Sequence, residues 1–237
     1  GTCSDGTDNT TIQAASTAAG AGGTIYLKGG TTFTGTQIDS DSWLSTTAIN
    51  QSWTSFGTGQ GVMAVNGSNR LLTISHADNS FTNLAFLNAA GTIYVIYSTV
   101  DTSFINCTFT SNATLGFFSL ASSGVFTFTE NTFGGTGNST YITMSSGVLS
   151  LTGNTFNHAS LTSKPPVSIT GGTAVTISEN TFNGPDIRNA STQAISVSAV
   201  PTVSISSNII TKAGYSSVSV LGATSPVING NNISDGH

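Results

Sequence analysis

The chain has 237 residues, of which 6% are charged, against about 25% in ordinary soluble domains. With five Lys+Arg and a formal net charge of −5, it has no basic surface to neutralise a phosphate backbone, which excludes nucleic acid as a partner. No apolar run reaches the roughly 18 residues of a membrane-spanning helix, while 37% apolar residues at regular spacing argue against a disordered chain. The length is compatible with one elongated β domain over 1–237. The chain opens on Gly1 with no basic-then-apolar leader, as expected of a processed product. Its two cysteines, Cys3 and Cys107, are too few for a disulfide scaffold and lack metal-ligand spacing.

The first expected element is a capping helix within residues 1–23, ahead of coils over 24–237. Asp5-Gly6-Thr7-Asp8-Asn9-Thr10-Thr11-Ile12-Gln13-Ala14-Ala15 offers Asp8 or Asn9 as N-cap. Ile12, Ala15, Ala18 and Ala19 form an apolar face, and Gly20, Gly22 and Gly23 stop the helix. Thr24-Ile25-Tyr26-Leu27 then begins the first strand.

Further on, the chain repeats itself. Phe126-x-Phe128-x-x-Asn131-x-Phe133 recurs as Leu149-x-Leu151-x-x-Asn154-x-Phe156, then as Val175-x-Ile177-x-x-Asn180-x-Phe182. Val203-x-Ile205-x-x-Asn208-x-Ile210 and Ile228-x-x-Asn231-x-Ile233 follow. Earlier copies carry Cys107 or Leu84 in place of the Asn, and the steps from 84 to 231 are 23, 24, 23, 26, 28 and 23 residues. A second strand with period-two alternation precedes each copy, at 93–97, 116–120, 141–144, 167–170, 194–198 and 218–221. A unit this short cannot bury its apolar face alone, so it stacks on its own copies, each coil advancing about 4.8 Å. The expected fold is all-β: one chain wound into a right-handed parallel β-helix with a short N-terminal helix. Phe81, Phe104 and Phe128 should stack inside it, continued by Leu151, Ile177, Ile205 and Ile228, beside a second stack of Phe86, Phe109, Phe133, Phe156 and Phe182. Asn131, Asn154, Asn180, Asn208 and Asn231 should form a buried amide ladder at one corner.

The entry at residues 5–27 resembles the opening of pectate-lyase-like β-helix proteins, including many phage tailspikes. There an Asp-Gly-x-x-Asp-(Asn/Asp)-Thr segment leads a capping helix, then Gly-Gly-Thr and an apolar strand. The family's Pro-x-Gly-x-Tyr exit is replaced by Lys28-Gly29-Gly30-Thr31-Thr32-Phe33, and its upstream strand is expected to be missing. The coil repeats extend the resemblance over most of 70–237. It implies a fold rather than an activity, since the family holds lyases, hydrolases, adhesins and inert structural proteins.

Polysaccharide-cleaving β-helices need several carboxylates on neighbouring coils. Here Glu130 and Glu179 share a register before their ladder Asn, two coils and about 9–10 Å apart. Longer repeats beside them carry His158 and Lys164, then Asp186 and Arg188. His76, His158 and His237 are too scattered for a metal site, and no cofactor is implied. Flanking the inward positions, Thr127, Thr129, Ser150, Thr152, Thr176 and Ser178 form an uncharged hydroxyl ladder. Such a face can be plainly solvated, can dock a glycan or another subunit, or can match ice. Asn-x-Ser/Thr sites at Asn9, Asn50, Asn66, Asn106, Asn112, Asn138, Asn189 and Asn232 are compatible with glycosylation and export. The sparse charge, the hydroxyl faces and the missing acid cluster favour a non-enzymatic structural or adhesive solenoid, extracellular or on the cell surface. Its expected partners are its own copies, as in a filament subunit, or a glycan surface. A polysaccharide-degrading enzyme and a glycan- or ice-binding protein are the alternatives.

Overall fold

The computed structural model describes residues 2–4, 9–34, 42–65, 70–88, 94–112, 116–136, 140–158, 164–184, 193–211 and 217–234. Over these the chain is a parallel β-solenoid with three parallel sheets of ten, nine and eight strands. Each coil visits the sheets in the same order. Val125–Thr129 lies in the first sheet, Thr132–Gly134 in the second and Ile142–Met144 in the third, before Val148–Thr152 rejoins the first. The third-sheet strands include Phe118–Leu120, Val167–Ile169, Ile195–Ser198 and Val218–Leu221, within the spans read from period-two alternation.

Strict register turns the repeat into internal columns. Phe81 pairs with Phe104, Phe104 with Phe128, Phe128 with Leu151, and the column continues through buried Ile177 and Ile205 to Ile228, which keeps the register but is exposed rather than internal. Trp53 adds a ring above it, stacked on Phe81 at 5.5 Å. The Phe86, Phe109, Phe133, Phe156 and Phe182 rings stack at 4.5–5.1 Å with interplanar angles of 20° or less. Each fully buried Phe contributes roughly 1.5–3 kcal/mol of apolar burial, and each offset ring pair about 0.5–1.5 kcal/mol beyond that. A third column was not anticipated. Two consecutive buried residues stand at the entry to third-sheet strands, as in Leu71-Leu72, Val95-Ile96, Phe117-Phe118 and Tyr141-Ile142; at the first of these the backbone N–H groups of Leu71 and Leu72 both donate to the Val95 carbonyl.

The amide ladder sits where the first sheet turns into the second. The Nδ2 and backbone N–H of Asn154 both donate to Oδ1 of Asn180, at 2.9 and 2.8 Å, and Nδ2 also donates to the Phe128 and Thr152 carbonyls. Asn131, Asn180 and Asn208 repeat the arrangement, with Asn231 receiving the last pair. At the other end the Cys107 backbone N–H donates to Oδ1 of Asn131 at 2.8 Å, and its thiol donates to the Phe81 and Ile105 carbonyls. The residue before each ladder position is left-handed: Asn83, Asn106, Glu130, Gly153, Glu179, Ser207 and Gly230 have φ between 51° and 67°. This tight corner is what admits Gly153 between two glutamates.

Three details of the N-terminal end differ from expectation. The upstream strand is present: Thr2–Ser4 pairs in parallel with Ile25–Leu27. It has no apolar alternation to announce it, because its place is fixed by backbone pairing. The helix Asn9–Ala19 buries Ile12 and Ala15 as expected, but Ala18 is exposed and Ser16 is buried in its stead. Ser16 belongs to a polar network, donating to Gln51 Oε1, while Gln51 Nε2 donates to the Ser16 and Gly20 carbonyls at the helix end. The Gln51 backbone N–H in turn donates to Oδ1 of Asn79. A second polar column, Gln51, Asn79 and Thr102, thus ties the cap to the coils. The N-cap reading of Asp8 lies outside the described residues, as do the side chains of Asn9 and Cys3.

Replacing Asn154 with Ala would strand the donors of Asn131 and remove the bonds to Asn180 and Phe128. It should cost about 3 kcal/mol or more in urea unfolding, whereas the same change at exposed Asn157 should cost about 1 kcal/mol or less.

Candidate functional site

The hydroxyl ladder is built by the outward positions of the first sheet. Thr127, Ser150, Thr176 and Ser204 are consecutive partners, and so are Thr129, Thr152, Ser178 and Ser206. The first column extends upward through Ser103, Ser80, Ser52 and Thr24. Thr176 is exposed, and Thr127, Thr129, Ser150, Thr152 and Ser178 are half-buried by their neighbours. Two lateral hydroxyl contacts run along the columns, Thr152 to Ser178 and Ser80 to Ser52, both at 3.4 Å. The second column is interrupted by Ile105, which is 39% exposed.

The other two sheets carry comparable columns, which the sequence reading missed. The second sheet aligns Thr108, Thr132, Thr155 and Thr181. The third aligns Ser119, Thr143, Ser168, Ser196 and Ser219. Their signal was present as the polar residue beside each inward apolar one.

Glu130 and Glu179 occupy the left-handed corner position, exposed, with Gly153 in the coil between them. A Cβ at Gly153 would lie 3.5 Å from Cγ of Glu130, so the Glu130 side chain lies beside the next coil. Successive backbone bonds from Glu130 N to Thr152 O, Gly153 N to Ser178 O and Glu179 N to Ser206 O place the pair two coil steps apart, about 9–10 Å. His158 does not face them from solvent. It is buried, edge-on to Tyr141 at 5.9 Å, while the Tyr141 hydroxyl donates to the Asn157 carbonyl. Lys164 is exposed, and Asp186 and Arg188 lie outside the described residues.

A different acidic pair lines a groove. Asp78 and Asp101 begin equivalent segments, Asp78-Asn79-Ser80-Phe81 and Asp101-Thr102-Ser103-Phe104, in adjacent coils. The Asp78 N–H donates to the Asp101 carbonyl, and Oδ1 of Asp101 accepts the Val125 N–H at 2.7 Å. With Ser103, Val125 and Thr127 they border a shallow open groove of about 410 Å³. Among the described residues no group of three His, Cys, Asp or Glu is placed to hold a metal ion. No helix of the described residues is long and apolar enough to cross a membrane.

Of the sequon asparagines, Asn50, Asn106, Asn112 and Asn232 are exposed. Asn112 has its Oδ1 engaged by the Thr136 backbone N–H and hydroxyl. Asn66, Asn138 and Asn189 lie outside the described residues, as does His237. Compared with protein-family models, curated proteins and solved structures, the chain has no significant match.

Two buried groups carry measurable consequences. Desolvation holds the His158 imidazole below its usual pKa, so the unfolded chain binds the extra proton first. Stability should therefore be full above about pH 6.5 and fall as pH drops below it. His158→Phe should flatten that slope in denaturant titrations at pH 5 to 8. Burial pushes the Cys107 thiol up to about 12, so a maleimide at pH 8 should label Cys107 only after unfolding.

Proposed function

We propose that the protein is a non-enzymatic structural or adhesive β-solenoid that works outside the cell or at its surface, built on the pectate-lyase-like plan. The right-handed winding favoured by parallel crossovers belongs to that plan. Support for it comes from the capping helix, the Gly22-Gly23-Thr24 entry and the internal amide ladder. The observation that carries the functional reading is the surface: aligned, uncharged hydroxyl columns on all three sheets. Charges of one sign keep proteins apart, and these faces supply little such repulsion. These hydroxyl faces would associate laterally. The helix Asn9–Ala19 covers the first coil with Ile12 and Ala15, so end-on stacking there would have to displace it. A face of hydroxyls can equally lie along a polyhydroxyl surface such as a glycan, and the exposed sequons are compatible with export.

Sedimentation and electron microscopy over a concentration series test the proposal. The wild type should associate side by side or coat insoluble polysaccharide. Thr127→Lys together with Thr176→Lys, two coils apart, should abolish this with an unchanged melting midpoint. A wild type that stays monomeric and coats nothing would overturn the reading. Cleavage of a polysaccharide by the wild type and not by Glu130→Gln would replace it with an enzyme.

A further inference from the structure

Arg70 is one of five cationic side chains in the chain. It begins the third-sheet strand Arg70–Ile74, and its guanidinium carbon lies 4.5 Å from the ring centroid of Tyr97 in the next coil. Tyr97 points outward between Thr73 and Ser119, its partners in the coils before and after it. Tyr94, three residues earlier, lies across Gly116, where a Cβ would come within 2.8 Å of its ring. The ring can lie this close to the backbone because position 116 has no side chain. Arg70, Tyr94 and Tyr97 are all half-exposed. Among the described residues no carboxylate is paired with Arg70.

We infer that this patch is a binding subsite for an acidic sugar, a ring bearing a carboxylate or sulfate group. A guanidinium resting on an aromatic face has its stacking side occupied and presents its N–H edge. That edge matches a planar oxyanion, which accepts two parallel hydrogen bonds. Tyr94 supplies an apolar surface for the C–H face of a sugar, while Thr73 and Ser119 supply hydroxyl partners for its ring substituents. Charge complementarity favours an anion, because among the described residues no carboxylate is paired with the guanidinium. The neighbouring outward positions are hydroxyls, which match the ring substituents of a sugar. The subsite centres on the Arg70 guanidinium, whereas Thr127 and Thr176 on the first sheet test lateral association, so the two tests fail separately.

Sialyllactose, sulfated lactose and lactose share one core and differ in the charged group, so they separate the two sources of the oxyanion. Titration of the full chain, followed by calorimetry and NMR, should detect one or both acidic probes and not lactose. Arg70→Gln should weaken binding by about tenfold or more, and Arg70→Lys, which keeps the charge without the planar fork, by several-fold. Both variants should melt as the wild type does, since the site is on the surface. Binding that is equal for lactose, or that persists in Arg70→Gln, would overturn the inference. So would no response to either acidic probe at about 10 mM, or preferential binding of an Asp/Glu peptide, which would assign the patch to a protein partner.

Discussion

A buried side-chain amide has to satisfy its own donors and acceptor, and here the amide one coil away and nearby backbone carbonyls do so together. Asn131, Asn154, Asn180 and Asn208 each give both Nδ2 and backbone N–H to the side-chain oxygen of the ladder Asn in the following coil. A slip of one residue in any coil would leave several of these groups unpaired in an apolar interior, at about 1–3 kcal/mol for each. The register of the whole stack follows. The block from first-sheet strand through Asn to second-sheet strand keeps a fixed length, and length variation falls between the second-sheet and third-sheet strands. Asn157 is followed by Val167, and Asn183 by Ile195, as the ends and starts of consecutive strands. Chain length there is thermodynamically lenient because the corner has already set the alignment.

The polar pin changes corner along the axis. In the first coils it is Gln51, Asn79 and Thr102, where the third sheet turns into the first. In later coils that register is filled by Phe126, Leu149, Val175 and Val203, and the amides move to the opposite end of the first-sheet strand. The coil of Phe104 is the crossover, with Thr102 still polar at one end and Cys107 heading the new ladder at the other. A thiol suits that place: it fills the volume, donates weakly to carbonyls, and leaves the backbone N–H to make the strong bond to Asn131. The cap joins the first of the two systems through Ser16 and Gln51. Helix and coils are therefore held by polar bonds as well as by Ile12 and Ala15.

How much of this could be read from sequence depended on where the marker residues lie. From Phe81 onward the Phe columns and the Asn at fixed offset make the register countable, and inward and outward positions follow from period two. Before residue 79 the corner residue is Gln51, with Trp53 in the inward position, so the same columns continue without a recognisable repeat. For the same reason Asp78 and Asp101 went unpaired in the reading, although they occupy one register, while Glu130 and Glu179 were found beside their Asn markers. The hydroxyl face was noticed on the first sheet because its residues flank the counted motif. Equivalent columns on the other sheets flank shorter strands of three residues, such as Thr155–Asn157 and Val167–Ile169. His158 stands in one of the longer repeats, yet burial against Tyr141 makes it part of the interior.

The low charge has a partial cause in the fold itself. In-register stacking puts like on like about 4.8 Å apart, where two equal charges repel by roughly 1 kcal/mol even in water. The acids that are present reflect this constraint. Glu130 and Glu179 are separated by the Gly153 coil, a distance beyond the ~8 Å screening length at physiological salt. Asp78 and Asp101 are in adjacent coils, and the Asp101 carboxylate accepts a hydrogen bond from the Val125 N–H. Stacking alone would still permit alternating Lys and Glu, which gain from the same spacing, and the columns hold Ser and Thr instead. Stacking thus accounts for the absence of like-charged columns but not for the hydroxyls that replace mixed ones. What remains is a property of the surface, and it is that residue of unexplained neutrality which the proposed contact with other faces explains.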